Sequence, residues 1–282
     1  MIVSSKNLLQ KARKGGYAVG QFNTVNLETT LAILKTAEKL KSPVIIATSE
    51  NEVGYSAPQT IVALVSAIAK NSKIPVAIHL DHGSNFNLIK ECILAGYTSI
   101  HIDTSAKPFF QNALAVKKVV ALCRPKGIQV EAELGQIPTP VRNQKVARQL
   151  YFTNSQEAAD FVAKTGTDSL AISVGTAHGA YKGKTKIDFE LLGEIGKKVK
   201  IPLVLHGGSL VPDAQIKKAV KLGISKVNVN TELRQAFTGA VRKELEAKPQ
   251  EIVPYKILPA GITAVSKIVE GKIKLFGSQN KA

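Results

Sequence analysis

The 282-residue chain has no tryptophan, one methionine, two cysteines and 5% aromatic residues. So few aromatic rings leave no visible platform for stacking bases, and a nucleic acid is not expected as the primary partner. Cys92 and Cys123 lie in helical patterns without metal-ligand spacing, which excludes a disulfide framework and a thiolate metal centre; both read as buried free thiols. The apolar stretches, such as 43–47, are far shorter than the roughly 18 residues of a membrane span, so no membrane partner is expected. The opening MIVSSKNLLQKARKGG has no apolar segment followed by a small-residue cleavage site, and a cytoplasmic location is the expectation. Acidic residues are scarce: 21 Asp+Glu against 38 Lys+Arg give a formal net charge of +17. That excess points to anionic partners without choosing among a polyanion, an acidic surface and a small phosphorylated substrate.

What is present is an alternation. Short β-branched runs at 18–23, 43–49, 75–81, 99–104, 128–134, 169–174, 202–206 and 226–230 are separated by longer segments of helical periodicity. Eight such units in 282 residues predict an α/β fold, a closed (β/α)8 TIM barrel. An open doubly wound sheet would carry a glycine-rich turn after its first strand, and QFNTVN is not one. No linker divides the chain, so residues 1–282 read as one barrel domain with a C-terminal helical tail from about 231. Two connections are unusually long, 135–154 and 175–187; loops of that length in a compact domain are commonly functional.

Barrel chemistry gathers at the C-terminal ends of the strands, and those ends are polar here. They offer Asn23, Ser49, Asp81 with His82, Asp103, Glu131 with Glu133, His206, and Asn228 with Asn230, while His178 follows the sixth strand closely. Ser49 and Asp103 can equally be caps of the helices that follow. Of five histidines, His82, His178 and His206 fall at this rim on separate strands. Three imidazoles with an open fourth position form the ligand set of a catalytic zinc ion; three unrelated polar histidines are the alternative. His79 and His101 sit within strand runs and read as packed, hydrogen-bonded rings. Glu133, with Asp103, either orients a ligand or holds a second, divalent or monovalent, cation, or serves as a plain structural anion in a basic barrel mouth. Gly207, Gly208 and Ser209 precede a helix start, and so do Asn228, Val229, Asn230 and Thr231. Backbone amides at such places cradle anions, and the seventh and eighth strand ends are where barrels commonly hold phosphate. A Lewis acid beside a phosphate cradle and a carboxylate suits retro-aldol chemistry.

The ordered set HLDHGS at 79–84, VEAELG at 130–135, GTAHGAYKG at 175–183, LVLHGGS at 203–209, KVNVNTEL at 226–233 and LFGS at 275–278 resembles the class II, zinc-dependent ketose-bisphosphate aldolases from about residue 5 onward. The resemblance implies that Asp81 exchanges the proton of the C4 hydroxyl and that His82, His178 and His206 hold one zinc ion. It also implies that Gly179, Gly207 to Ser209 and Asn228 to Thr231 contact the dihydroxyacetone-phosphate half, with Asn23 and Ser49 as further polar contacts. A homodimer or homotetramer is implied, as is reversible cleavage of fructose 1,6-bisphosphate in glycolysis.

Three features depart from the family. No Asp or Glu occurs from Leu134 through Gln156, so the loop carboxylate of the family has no counterpart there. Leu210 stands where relatives often have glycine, a change expected to bend the cradle differently. Tyr255 and Gly261 stand where many bisphosphate-cleaving relatives carry arginines for the distal phosphate, leaving Arg142, Arg148, Lys182 and Lys184 as stand-ins. Tagatose 1,6-bisphosphate and a singly phosphorylated deoxy-keto-gluconate therefore stay open as substrates. A weakly active, polyanion-binding barrel is the alternative of another class.

Overall fold

In a computed structural model, which describes residues 1–137, 151–177, 179 and 186–282, the β-branched runs pair side by side into a closed eight-stranded parallel barrel. The first half runs α1 (Ser5–Gly15), β1 (Val19–Asn23), α2 (Leu27–Lys39), β2 (Val44–Ser49), α3 (Glu50–Ser56), α4 (Pro58–Ala69), β3 (Val76–Gly83), α5 (Phe86–Ala95) and β4 (Ser99–Ile102). Then come α6 (Phe109–Cys123), β5 (Gln129–Leu134), α7 (Ser155–Thr165), β6 (Ser169–Ile172), α8 (Phe189–Lys198), β7 (Leu203–Leu205), α9 (Asp213–Lys221) and β8 (Ile224–Val229). The chain ends with α10 (Thr231–Ala247), α11 (Pro254–Ile257) and α12 (Pro259–Phe276). Each strand lies within two residues of the run that predicts it.

Local chemistry sets the ends of these elements. Asn26, Asn85, Asn154 and Asp188 accept from the first free amides of α2, α5, α7 and α8. Gly16, Gly96 and Gly166 close α1, α5 and α7 in the left-handed conformation. The C-terminal helices do not hang free: α12 packs against α2, α10 and β1, burying Val265, Val269, Ile273 and Phe276.

Strand alternation divides the side chains between two environments. Phe22, Ile46, Ile78, Ile100, Val130, Leu170, Leu205 and Val227 face the helices and form the main apolar core. A second, smaller cluster forms the barrel floor, where Val19, Ile45 and Ala77 are covered by Leu8, Leu9 and Ala12 of α1.

Between floor and mouth the barrel interior is polar, which is unusual for a fold normally filled by branched aliphatics. Lys226 is fully buried and donates to both oxygens of Glu131 at 2.7 and 2.9 Å, and to His79 Nε2 at 3.2 Å. The His79 Nδ1–H then donates to Ser99 Oγ at 2.6 Å, Gln129 Nε2 donates to Ser169 Oγ at 2.7 Å, and the Ser169 hydroxyl returns to Glu131 at 3.2 Å. All three ammonium protons find acceptors, so the buried lysine is satisfied. Burial, reinforced by Lys226, holds His79 neutral, well below its ordinary pKa. His79 is thus the packed, hydrogen-bonded ring that its place within the strand predicts.

Removing one member of a buried pair strands the other as an uncompensated charge. Lys226→Met is therefore expected to cost about 3–5 kcal/mol in urea unfolding, with part of the loss recovered by adding Glu131→Gln.

Candidate active site

The site starts from an irregularity in β3. Leu80 pairs with Ile100 and Gly83 with Ile102, so three steps on β3 match two on β4. The extra residue falls at Asp81-His82, and His82 takes a left-handed φ of 52°. Consecutive strand residues ordinarily face opposite sides. A bulge re-aims one of them, so Asp81 and His82 both reach the barrel mouth.

Neighbouring strands fix both side chains. Asp81 accepts from Asn23 Nδ2 of β1 at 3.1 Å and from Asn228 Nδ2 of β8 at 3.2 Å, one amide on each oxygen. His82 Nδ1 bonds Asp103 at 2.7 Å, and Asp103 also accepts from the backbone and hydroxyl of Ser105, so it serves the site rather than capping α6. His206, at the end of β7, places Nε2 3.0 Å from Glu131. Each outer ring nitrogen thus meets a carboxylate, which turns His82 Nε2 and His206 Nδ1 towards each other at 2.9 Å. Metal-ligating histidines are oriented by such carboxylate partners. Asp81, His82, His101 and His206 form one group able to share an ion, and His82, His101, Asp103 and Glu133 form a second.

The charge states follow from burial and neighbours. Burial opposes ionisation of Asp81, but His82, His206 and Lys226 outweigh it and hold the carboxyl well below the usual range. Burial also lowers the pKa of His82, yet Asp81 and the hydrogen bond to Asp103 lift it to about 9. Burial pushes His206 down to about 3 and His101 to about 4. Glu133, buried beside Asp103, is pushed up to about 8.

The remaining predicted residues distribute as follows. Ser49 precedes α3 as its N-terminal cap residue and also lines the cavity; its amide donates to Glu52 at 2.7 Å. Glu133 accepts from Ser105 at 3.1 Å through one oxygen, while the other has no hydrogen-bond partner among the described residues. It lines a second cavity of about 510 Å³ with His82, Asp103 and Ser105. Gly179, Gly207, Ser209, Asn228, Asn230 and Thr231 line a smaller cavity of about 280 Å³ together with Asp81, His82 and His206. Gly208 N–H donates to the Asn228 carbonyl at 3.1 Å, tying the two cradle segments together. Val229 is buried in the apolar core with its side chain away from the mouth, so only its backbone is available to the site. His178, Arg142, Arg148, Lys182 and Lys184 lie outside the described residues.

Leu210 adopts φ 59°, a left-handed conformation that favours glycine. Its amide is held by the Glu232 carboxylate.

Three site residues escape a reading of strand ends. His101 lies one level below the rim: its Nδ1 accepts the His82 amide at 3.1 Å, while Nε2 is buried without a partner among the described residues. The alternation of β4, which puts Ser99 and Asp103 inward, carries that signal. Glu52 and Arg234 sit on helices, within the first turns of α3 and α10, and no strand-end pattern includes them.

A closed parallel barrel with its polar groups gathered at the C-terminal rim is the arrangement of a (β/α)8 enzyme. The family model described as "Fructose-bisphosphate aldolase class-II" matches residues 3–281. A "Probable fructose-bisphosphate aldolase" of Bacillus subtilis is 45% identical over 284 residues, covering 100% of this chain and 99% of that protein. The "Fructose-bisphosphate aldolase" of Thermus caldophilus is 41% identical over 306 residues, with both chains covered at 100%. Among solved structures, the YdjI aldolase of Escherichia coli K12 superposes with a TM-score of 0.89 at 35% identity, again over 100% of both chains. The chain belongs to the class II fructose-bisphosphate aldolase family.

The cradle glycines invite a two-sided test. A Cβ on Gly207, at φ 64°, would lie 2.4 Å from the Ala177 carbonyl oxygen, whereas one on Gly193 of α8 would meet nothing. Gly207→Ala is expected to cost about 1–3 kcal/mol or more in urea unfolding, and Gly193→Ala to gain about 0.5–1 kcal/mol.

Proposed function

We propose that this protein catalyses the reversible cleavage of fructose 1,6-bisphosphate to dihydroxyacetone phosphate and glyceraldehyde 3-phosphate, with one zinc ion held by His82, His178 and His206. The observation that carries the reading is the β3 bulge, which sets Asp81 beside His82 and within one cavity with His206. The donor set fits the ion. Two imidazoles, each backed by a carboxylate, turn their inner nitrogens towards one another, and His101 adds a buried, unpartnered nitrogen nearby. Zinc, when bound, supplies a Lewis acid that draws electron density from the substrate carbonyl. Asp103 and Glu133 are proposed to orient His82 or to hold a second cation.

The protein's own residues do the rest. Asp81 is ionised, as a proton acceptor must be, and is aimed by two amide donors from β1 and β8. It takes the C4 hydroxyl proton as the C3–C4 bond breaks; the O–H electrons form the aldehyde carbonyl and the C3–C4 electrons stay on the dihydroxyacetone-phosphate half. The buried Asn228 Oδ1 has no partner among the described residues and offers an acceptor for a substrate hydroxyl. Gly207, Gly208, Ser209 and Gly179, with the start of α10, are proposed to cradle the phosphate of that half. In the reverse direction Asp81 returns the proton to the new hydroxyl.

We place the enzyme in the cytoplasm; no helix among the described residues is long and apolar enough to cross a membrane. A homodimer or homotetramer is proposed, supported by the exposed Phe110 and Leu114 on α6.

Purified zinc-loaded protein is expected to release dihydroxyacetone phosphate from fructose 1,6-bisphosphate, to stop on chelation, and to recover with zinc. Release from tagatose 1,6-bisphosphate or from the singly phosphorylated sugar instead would reassign the substrate, and silence on all three would overturn the aldolase reading. Separately, Asp81→Asn is expected to lower kcat about 10²–10⁴-fold at unchanged zinc content.

A further inference from the structure

Among the described residues lining the cavity with Asp81 and His82, Arg234 is the one arginine or lysine, so the basic excess of the chain lies elsewhere. Part of it collects at the opposite end of the barrel. There a cleft of about 590 Å³ opens between α1 and the segments that enter β6 and β7. Lys6, Gln10, Arg13 and Lys14, spaced i, i+4, i+7 and i+8, turn one flank of α1 towards it. The facing wall brings Asp168 and Lys200. Four cations thus share the cleft with one carboxylate.

That carboxylate is already committed. Asp168 Oδ1 pairs with Lys6 at 2.8 Å, and Oδ2 accepts the Val130 amide at 3.0 Å. Arg13 has no carboxylate among the described residues: its two Nη groups donate to the backbone carbonyls of Ile201 and, at 2.8 Å, of Val199. Neutral acceptors fix the guanidinium in direction without cancelling its charge, and they leave further N–H donors unengaged. Half-buried, the group is desolvated with no anion to compensate, and its pKa falls below the ordinary value for that reason. Lys200 Nζ likewise meets a carbonyl, that of Lys197 at 2.6 Å. The exposed Lys14 forms no ion pair among the described residues. Three cations are therefore left in one cleft without an anion of the protein to answer them.

A multiply charged anion relieves that repulsion. One phosphate group carries at most about two negative charges, fewer than the three cations present, and the cleft has room for more than one such group. Its apolar lining is limited to Ile201 and Pro202, with no aromatic ring on which a base could stack.

We propose that this cleft is a binding site for a phosphoanhydride chain, recognised through Arg13, Lys14 and Lys200 and indifferent to any base attached to it. Nucleoside triphosphates and inorganic tripolyphosphate share that chemistry. The site is separate from the sugar-phosphate cradle, which lies at the other rim of the barrel.

Titration calorimetry tests this on zinc-loaded protein with ATP, GTP and tripolyphosphate, in excess magnesium so that the phosphate chains do not strip the zinc. All three are expected to bind below about 1 mM, with Kd values within about threefold of one another. Saturating dihydroxyacetone phosphate is expected to leave that binding in place. Lys14→Glu combined with Lys200→Glu is expected to weaken it about 10- to 100-fold, and Arg13→Gln to act in the same direction. Lys117→Glu with Lys118→Glu on α6, an equal change of net charge outside the cleft, is expected to change it by less than about threefold, because distant surface charges are screened. Equal losses in the two double variants would reduce the effect to bulk charge and overturn the proposal. So would displacement by dihydroxyacetone phosphate, binding of the nucleotides without tripolyphosphate, or no binding of any of the three at about 1 mM. Lys14 and Lys200 are exposed, so the comparison stands even where loss of the two carbonyl bonds of Arg13 unfolds that variant.

Discussion

The geometry of the site depends on one backbone constraint, the residue inserted in β3 that obliges two consecutive side chains to share a face. A regular strand would send either Asp81 or His82 into the helical shell, where a carboxylate or an imidazole would be buried without partners. The left-handed φ of His82 is a conformation that non-glycine residues seldom adopt, and it is held from several sides. The His82 amide is bound by His101, its ring by Asp103, and the neighbouring Asp81 by two asparagines. Strain at a functional position is here opposed by hydrogen bonds from three other strands, β1, β4 with the residue that follows it, and β8.

Those bonds require a polar barrel interior, and the interior requires its own compensation. Glu131 accepts from His206 above and Lys226 below, so the carboxylate that orients a rim histidine is itself neutralised within the barrel. The basic composition of the chain is thus not only a surface property. One of its lysines is fully buried, where it permits an anion to stand beneath the site. The apolar floor sealed by α1 closes this polar column on the side away from substrate.

Most of this architecture was legible in the order of residues. The period-two runs locate every strand because the outward faces are almost entirely Val, Ile, Leu and Phe, and the strand ends stand out because polar residues interrupt that pattern. Asp81, His82 and His206 converge as the rim argument requires; His178 falls outside the described residues. What could not be read were contacts made by inserted or helical residues. A one-residue bulge leaves no mark in composition. His101 looks like core because it lies within a strand. Glu52 and Arg234 follow their strands by a few residues, and only the chain's path around the barrel brings them together. At Leu210 the sequence shows the change of residue but not that the leucine takes a left-handed φ.

Glu52, whose two oxygens take four donors from Ser49, Asn23, Asn230 and Arg234, ties separate parts of the site together. One buried anion serves the start of α3, the asparagine beside Asp81, and Arg234. Exchanging the arginine alone would strip that anion of the one cation bonded to it among the described residues and disturb the amide that aims the proton acceptor. A change at either end of this chain is thereby felt at the proton acceptor, two hydrogen bonds away from Glu52 through Asn23.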